Sequence, residues 1–438
     1  MPVSSNVRRM YNDLLKATLS NRRSTILLTC VFLTIVIFVW YHPASGSSAS
    51  TTPLSSSSQW SGNSDVQNKK DLFNGTWDYE RDRNNLLLDS AQCEQAFPGL
   101  FTEVDRAVKE WQHRSISVAD VDAITPKNGY VRAMIYDQEL YMIATQGKIY
   151  SRELATLHAL HRAIVSSPEP LPNIEFAFNT DDRIFEPVPL WGYARQEADA
   201  HIWLMPDFGY WSWPETKVGT MREVQMKAAL TENKWSWGNK VDKLLWRGAT
   251  MGLKLREKLI EAARDKPWAD VKALNWKDKD SVSNDLKSMP EHCQYKYLAH
   301  TEGNSYSGRL KYLQSCKSVI VAHEMDWIQH HHPLMRAKGP DQNYVQVDRD
   351  YERLSEQIEW LQAHDEEAER IATNSVNTFR YRYLTPAAET CYWRRLIHGW
   401  SHVSFQPEFF KEEAGQKVWR GLPFESFALE RRLEWDPY

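Results

Sequence analysis

An acidic loop follows one of the strand-like segments of this 438-residue chain. Asn173–Phe178 alternates polar and apolar residues, as a strand does, and Asn-Thr-Asp-Asp at 179–182 comes directly after it. In open α/β sheets, ligands bind outside the carboxyl ends of the strands, so a carboxylate here is placed to take a proton from a bound group. Taken alone, the same residues are also typical of a solvated turn, because Asn and Asp favour turns.

A second loop has the composition of an anion site. Lys243–Trp246 is predicted as a short buried strand, and residues 247–252 lead from it into a helix that ends near Asp265. A strand-to-helix turn that contains glycine exposes backbone N–H groups at a helix N terminus, where anions bind. Gly248 and Gly252 do not form the dinucleotide or P-loop pattern, so a plain tight turn is the alternative.

A βαβ unit is predicted over Tyr295–Glu324, since roughly 30 residues is the length of such a unit. A strand leads into a loop rich in Gly, Asn and Ser, a helix follows from about Ser307, and an apolar β-branched strand returns. Arg309 falls in the first turn of that helix, where its guanidinium adds to the helix dipole and suits a diphosphate. A surface arginine paired with a carboxylate is the alternative. Another unit follows, with a strand at Tyr344–Val347 and a helix at Tyr351–Ala363.

Composition narrows the classes of fold and partner. Helical and strand-like segments alternate beyond about Leu72, which indicates an α/β fold, and Ile149–Val165 carries its leucines at helical spacing. The 53 Lys+Arg and 57 Asp+Glu give a net charge of −4, which argues against nucleic-acid binding because phosphate neutralisation needs a basic surplus. Most of the 19 Trp are expected in the core.

An apolar segment near the N terminus predicts a membrane anchor. Residues 24–41 carry no charge, and about 18 such residues is the minimum that crosses a bilayer. Five Lys and Arg precede them, so the positive-inside rule keeps residues 1–23 in the cytosol and sends the rest across. The Ser-rich residues 42–71 form a stem that cannot offset its ordering entropy by burial. A cleaved signal peptide is the alternative.

Three further features lie beyond the anchor, and the luminal placement bears on the first two. Asn74 begins an N-glycosylation sequon. The four cysteines beyond the anchor allow two disulfides in any of three pairings. Residues 330–332 are three consecutive histidines whose side chains point in different directions on any regular element, so a solvated or locally bonded loop is preferred to a metal site. The cysteines are Cys93, Cys293, Cys316 and Cys391.

Several segments together resemble glycosyltransferase family 90, which groups fungal capsule-associated glycosyltransferases with animal protein O-glucosyltransferases. The matching segments are FAFNTDDR, LLWRGAT with the LREKL helix, CQYKYLAHTEGNSYSGRLKYLQSCKSVIV, EMDWIQHHHP, and ERIATNSVNTF leading to TCYWRRLI. Their order and spacing, from about residue 170 to 400, make the match specific.

The resemblance implies a glycosyltransferase-B fold, in which two Rossmann-like domains face a cleft. Residues 72–238 would form the acceptor-side domain, 239–400 the nucleotide-sugar-binding domain and 401–438 a C-terminal extension. It also implies inversion at the anomeric carbon, a UDP-sugar as co-substrate, and no obligatory metal or other cofactor. Asp182 matches the family's catalytic aspartate, and the adjacent Asp181 stays open as a participant.

The resemblance also assigns the donor side. Arg309 and Arg256 match arginines of the family, and the chain departs from animal members at Ala249 and Thr250, where those carry a further polar or basic residue. Either this chain has one phosphate-binding side chain fewer, or Arg247 or Arg256 binds the phosphate in its place. It further implies a Cys293–Cys316 disulfide, which leaves Cys93 to Cys391. The expected donor-binding residues are Arg309, Arg256, Gly248, Thr250, Gly303, Ser305 and Arg247.

These expectations combine into one hypothesis of function. The chain would be a single-pass type II glycosyltransferase of the endoplasmic reticulum or Golgi membrane that moves xylose or glucose from UDP to a hydroxyl of a glycan or protein. A membrane-tethered, inactive carbohydrate-binding protein on the same fold is the alternative, which the departure at residues 249–250 favours. A glycoside hydrolase needs two carboxylates that flank one bond, and only one convincing acidic loop is present.

Overall fold

The computed structural model describes residues 73–184 and 186–433. The cytosolic tail (1–23), anchor (24–41) and stem (42–71) lie outside the described residues and stay predictions. Within the described part of the chain, no helix is both long and apolar enough to cross a membrane. Asn74 is exposed, and its side-chain oxygen accepts a hydrogen bond from the backbone N–H of Thr76 at 3.2 Å.

Helices and strands alternate along the described residues, which confirms the α/β class. The strands are β1 (Tyr130–Tyr136), β2 (Glu139–Thr145), β3 (Ile174–Asn179), β4 (Trp191–Gly192), β5 (Trp203–Leu204), β6 (Ser212–Trp213), β7 (Val218–Thr220), β8 (Val241–Gly248), β9 (Ala269–Ala273), β10 (Tyr295–His300), β11 (Val319–His323), β12 (Val345–Val347), β13 (Phe410–Glu413), β14 (Gln416–Trp419) and β15 (Leu422–Pro423). The helices are α1 (Tyr79–Asp82), α2 (Ser90–Ala96), α3 (Thr102–Trp111), α4 (Val118–Asp122), α5 (Ser151–Val165), α6 (Met221–Lys234), α7 (Lys254–Ala262), α8 (Lys279–Asp285), α9 (Met289–His292), α10 (Leu310–Leu313), α11 (Leu354–Ala363), α12 (Asp365–Thr378), α13 (Pro386–Val403) and α14 (Phe424–Glu430).

The first sheet is mixed, in the order β15-β2-β1-β3-β4-β5. β1 runs antiparallel to β2 and β3, whereas β3, β4 and β5 are parallel. Asp137 and Gln138 join β1 to β2 with φ values of 50° and 68°, the positive values that a type I′ hairpin requires at both central positions. The predicted strand after Pro170 is β3, so the acidic loop follows a central strand of this sheet.

The second sheet is parallel throughout, in the order β12-β11-β10-β8-β9. Its inner strands are nearly continuous apolar runs, as expected of strands covered on both faces. In chain order this is the 2-1-3-4-5 arrangement of doubly wound sheets, whose topological switch point lies between the first and third strands. The switch point here lies between β8 and β10, the two strands that precede the predicted donor loops.

One predicted helix is much shorter than expected. The helix placed from about Ser307 is the single turn α10, and Arg309 is its N-cap residue instead of a residue of its first turn. Residues 301–309 stay in a loop, which we call the glycine loop, with a tight turn in which Gly303 N donates to Ser305 O at 2.9 Å. The expected helix-dipole contribution at Arg309 is therefore wrong, because one turn of helix carries little dipole.

The C-terminal helix α13 returns to the first sheet. Its Trp400 donates a hydrogen bond to Glu175 O in β3 at 3.0 Å and contacts Trp191, which stacks on Phe176 with ring centroids 4.1 Å apart. Gly399 allows α3 to approach, since a Cβ there would lie 2.5 Å from Val104 Cγ1. The core role expected of tryptophan holds for six that are fully buried, whereas Trp276, Trp360 and Trp419 are exposed. The six are Trp191, Trp203, Trp246, Trp268, Trp393 and Trp400.

The division into acceptor-side and donor-side domains stays a prediction, as does the glycosyltransferase-B architecture. The structure shows that α13, which begins within residues 239–400, packs on the first sheet, and that β15, within residues 401–438, pairs with β2. The chain therefore crosses from the second sheet back to the first before its C-terminal part.

Both disulfides implied by the resemblance are present. Cys93 in α2 is joined to Cys391 in α13, and Cys293 is joined to Cys316, which links the start of β10 to the segment before β11. The two bridges close loops of very different size, with sequence separations of 298 and 23 residues.

We expect the Cys93–Cys391 bridge to stabilise the fold more than the Cys293–Cys316 bridge. Loop-closure entropy gives about 5 kcal/mol for the longer loop and about 3 kcal/mol for the shorter one. To check this order, each cysteine pair is replaced by alanines and the free energy of unfolding is measured in denaturant without a reducing agent. A larger loss for the Cys293–Cys316 pair would contradict it.

Candidate active site

A cavity of about 530 Å³ opens at the switch point of the parallel sheet. We call it the switch-point cavity. Four of the expected donor-binding residues line it together: Arg247 and Gly248 at the end of β8, Arg256 in α7, and Arg309 in the glycine loop. Ligands of doubly wound sheets bind at this position. The wall also contains Trp213, Val218, Ala249, Met251, Leu274, Trp276, Leu286, Met289, His292 and Tyr312.

The guanidinium groups of Arg256 and Arg309 have no carboxylate partner among the described residues. Arg256 donates to Glu302 O at 3.0 Å and to Ala249 O at 2.8 Å, and Arg309 donates to Arg247 O. Burial lowers the pKa of Arg309 to about 10, and the nearby charge of Arg256 acts in the same direction. Both side chains stay cationic at neutral pH, so the cavity wall carries positive charge that a bound anion would compensate.

Two glycines make room for these guanidinium groups. A Cβ on Gly248 would lie 2.8 Å from Arg309 Nη2 and 2.9 Å from the Trp246 ring. A Cβ on Gly303 would lie 3.0 Å from Arg256 Nη2. Neither glycine has a positive φ, so the cost of a side chain here would come from crowding of the neighbouring side chains and not from backbone conformation.

Arg247 is committed to the sheet itself. Its guanidinium forms an ion pair with Asp270 at 2.6 Å and donates to Asp285 O at 2.8 Å. Arg247 and Arg256 are the two candidates to replace the phosphate-binding side chain that is absent at residues 249–250. They differ in whether their charge is already paired. Arg247 is neutralised within the second sheet, whereas Arg256 has only backbone and thioether acceptors.

Two other expected donor residues lie beside the cavity without lining it. Thr250 O accepts a hydrogen bond from Leu253 N at 3.0 Å at the start of α7. Ser305 is buried in the glycine loop, and its hydroxyl oxygen has no hydrogen-bond partner among the described residues. The structure thus brings together five of the seven donor residues, counting Gly303 through its contact with Arg256.

Asp182 is held at the end of β3 by the first turn of α5. Its Oδ1 accepts a hydrogen bond from Arg152 Nη1 at 3.0 Å, and its side chain is 40% exposed. Asp181 accepts a bond from the backbone N–H of Asp182 at 2.8 Å, and its own N–H donates to Asn179 Oδ1 at 2.6 Å. Asp181 therefore shapes the loop through its hydrogen bonds, and both aspartates are accessible to a ligand, Asp181 more than Asp182.

The acidic loop, residues 179–183, meets the glycine loop. Arg183 Nε donates to Asn304 O, and Arg183 and Gly303 line a second cavity of about 410 Å³, the cleft cavity. Burial raises the pKa of Tyr306 in the glycine loop, and the charge of Asp182 adds to that rise. Asp182 lines neither of these two cavities. The cleft cavity also contains Ile184, Gln196, Asp199, Lys254, Glu302, Asp326, Trp327 and Arg349.

A buried ion pair that the sequence analysis missed connects the two sheets. Lys311 Nζ lies 2.8 Å from Asp207 Oδ1, and both side chains are essentially inaccessible to solvent. Gln329 also donates to Asp207, at 3.2 Å, and Lys311 donates to Gly308 O at 2.7 Å. The partners are 104 residues apart, so no local pattern could have identified them.

His330 and His331 are buried and His332 is partly buried, so the solvated form of the predicted loop is wrong. The ring of His330 packs on Tyr210 and Tyr392 with centroids 5.2 and 4.7 Å away, and His331 Nε2 lies 3.2 Å from Gln314 Oε1. Burial lowers the pKa of His330 to about 3. No group of three or more His, Cys, Asp or Glu side chains suited to a metal ion occurs in the part of the chain that the structure describes.

Curated proteins with related sequences are protein O-glucosyltransferases. The chain is 30% identical over 239 residues to the O-glucosyltransferase rumi homolog of Aedes aegypti, which covers 52% of this chain and 55% of that protein. It is 26% identical over 252 residues to human protein O-glucosyltransferase 1 (53% and 63%), and 25% identical over 270 residues to rat protein O-glucosyltransferase 3 (58% and 50%). The chain thus matches only about half to three-fifths of the length of these relatives.

The match to a family is more extensive than the match to any of these proteins. The family described as glycosyl transferase family 90 matches residues 90–416, well over half of the chain. That range contains the acidic loop, the glycine loop, and both arginines of the switch-point cavity. Its extent and the arrangement of these residues lead to one conclusion: the chain belongs to glycosyltransferase family 90.

Proposed function

We propose that the chain is an inverting glycosyltransferase that moves glucose or xylose from a UDP donor to a hydroxyl of a protein or glycan. One observation carries the proposal. Arg256 and Arg309 present two cationic groups without a carboxylate partner at the switch point of a parallel sheet. A nucleotide diphosphate supplies two negative charges at the place where such sheets bind nucleotides.

In this mechanism Asp182 is the general base. Its carboxylate takes the proton of the acceptor hydroxyl as the oxygen attacks the anomeric carbon from the face opposite the diphosphate. The bond between the anomeric carbon and the phosphate oxygen breaks, and its electron pair leaves with UDP. The charge that develops on that oxygen is stabilised by Arg309 and Arg256, whose guanidinium groups are already in place. The attack from the opposite face inverts the anomeric carbon.

The relatives support a protein hydroxyl as the acceptor, since they are named protein O-glucosyltransferases. The two disulfides fit an oxidising compartment, which together with residues 24–41 supports a type II protein of the endoplasmic reticulum or Golgi with a luminal catalytic part. We further propose the glycosyltransferase-B arrangement, with the donor on the parallel sheet and the acceptor facing the acidic loop, and a reaction without an obligatory metal.

A second candidate is a carbohydrate-binding protein without transferase activity. The observation that favours it is the position of Asp182, which does not line the switch-point cavity among the described residues. An inactive binder would hold UDP-sugars without releasing UDP, so the release of UDP separates the two candidates.

The full chain should release UDP from UDP-glucose or UDP-xylose. We expect release to rise when a folded acceptor protein with exposed serine hydroxyls is added, because a bound and oriented hydroxyl attacks faster than water. Coupled detection of UDP across a panel of UDP-sugars measures this, with GDP-mannose as a control donor. Binding of UDP-sugars without any release of UDP would favour the carbohydrate-binding candidate instead.

Asp182→Asn should remove most of the turnover while leaving the affinity for UDP nearly unchanged. The amide cannot accept the proton, and loss of a general base lowers turnover by about 10²- to 10⁴-fold. Asp181→Asn is the matched control, because Asp181 accepts a backbone hydrogen bond that an amide oxygen can keep. Near-wild-type turnover in Asp182→Asn, measured beside calorimetric UDP binding, would contradict the assignment.

Arg309→Met and Arg256→Met should each weaken UDP binding by about 10- to 100-fold, the cost of a lost charge-assisted hydrogen bond. Arg309→Lys should lose less, because it keeps the charge and loses only the fork of donors. Arg353→Ala is the control, since Arg353 forms an exposed ion pair with Asp348. Calorimetry that finds unchanged UDP affinity in both methionine variants would contradict the role of the pair.

A further inference from the structure

A buried histidine forms part of the wall of the switch-point cavity. His292 is the last residue of α9, is 3% exposed, and lines the cavity together with Gly248 and Arg309. It also lines a small recess between β8 and β10 that Arg309 shares. Its ring therefore lies at the switch point, beside the guanidinium groups proposed to hold the diphosphate.

One hydrogen bond fixes the tautomer of this ring. His292 Nδ1 lies 2.8 Å from Ser288 O, and a carbonyl oxygen can only accept, so Nδ1 carries the hydrogen. In the neutral ring Nε2 then carries a lone pair and acts as a hydrogen-bond acceptor. No described residue forms a hydrogen bond with Nε2.

The surroundings keep the ring neutral. Burial lowers the pKa of His292 to about 4, and the positive charges of Arg309 and Arg247 act in the same direction, against the opposing effect of the Ser288 bond. A neutral acceptor thus stands beside cationic donors. The lone pair of Nε2 repels a phosphate oxygen, which is also an acceptor, and is complementary to a ligand O–H or N–H.

The position of the ring is fixed from both sides. The next residue, Cys293, is joined to Cys316, and Cys293 O accepts a hydrogen bond from Lys240 Nζ at 2.6 Å. On the other side, Glu291 Oε2 accepts bonds from Ser288 N and Oγ, both at 2.7 Å. A side chain held in this way pays little ordering entropy when a ligand binds.

We propose that His292 Nε2 accepts a hydrogen bond from a hydroxyl group of the donor that neighbours its diphosphate, and so contributes to donor specificity. The inference rests on the proposed function, since it takes the diphosphate to lie at Arg309 and Arg256. The hydroxyl belongs either to the ribose or to the transferred sugar, which flank the diphosphate on its two sides.

Calorimetry on the full chain tests this with His292→Phe and His292→Gln. The probes are UDP, 2′-deoxy-UDP, 3′-deoxy-UDP, inorganic pyrophosphate, and UDP-glucose and UDP-xylose in the Asp182→Asn background, which prevents turnover. Phenylalanine removes the acceptor, and we expect a loss of about 3- to 10-fold in affinity, the value of one neutral hydrogen bond. Glutamine can donate to Ser288 O and keep an acceptor oxygen, so it should recover most of the affinity.

The pattern across the probes identifies the hydroxyl. If His292→Phe loses affinity for UDP but not for one of the deoxy analogues, the hydroxyl belongs to the ribose. If it loses affinity for a UDP-sugar but not for UDP, the hydroxyl belongs to the transferred sugar. The inference is overturned by no loss in His292→Phe, by an equal loss that includes pyrophosphate, or by a loss with UDP that persists in both deoxy analogues.

The same data separate this inference from the proposed function. If the wild-type chain binds neither UDP nor a UDP-sugar, both fail. If wild type binds UDP and Arg309→Met weakens binding, while His292→Phe behaves as wild type toward every probe, the proposed function stands and the role of His292 alone is wrong.

Discussion

Two guanidinium groups that share a cavity wall, neither of them paired with a carboxylate among the described residues, are the feature on which the rest of the site depends. Carbonyl oxygens orient Arg256 and Arg309 but cannot neutralise them, and each lacks the compensation that a buried charge normally has. The fold accommodates this with glycine at 248 and 303, where a Cβ would crowd the arginine side chains. A bound anion would offset this electrostatic cost, so the fold presents preorganised positive charge to a diphosphate.

The acidic loop and the glycine loop belong to different sheets, and one buried and one exposed polar contact fix their relative position. In the buried ion pair, Asp207 follows the first sheet and Lys311 lies two residues after Arg309. In the exposed contact, Arg183 donates a hydrogen bond to Asn304 O in the glycine loop. The buried rings of His330 and His331 pack beside Tyr210, and His330 also packs on Tyr392. A fixed geometry between base and leaving group is what a direct displacement requires.

Arg256, Arg309 and His292 differ in hydrogen-bonding character and therefore suit different parts of a ligand. Arginines offer only donors and suit phosphate oxygens, whereas a neutral histidine whose Nδ1 is already committed offers only an acceptor. The apolar part of the wall, with Trp276 and Met251 exposed at its edge, provides contact area without charge. Such a site can hold a molecule that is anionic at its centre and neutral at both ends.

The sequence by itself determined the local elements: the acidic loop after β3, the βαβ unit around Arg309, and, through the family resemblance, the two disulfides. Hydrophobic periodicity and turn residues encode these because they depend on neighbours in the chain. Only the tertiary structure decided that Arg247 pairs with Asp270 while Arg256 does not, that the helix after Ser307 is one turn, that α13 returns to the first sheet, and that Asp207 meets Lys311. Those outcomes depend on partners distant in sequence, whose choice is set by packing and desolvation that no local pattern records.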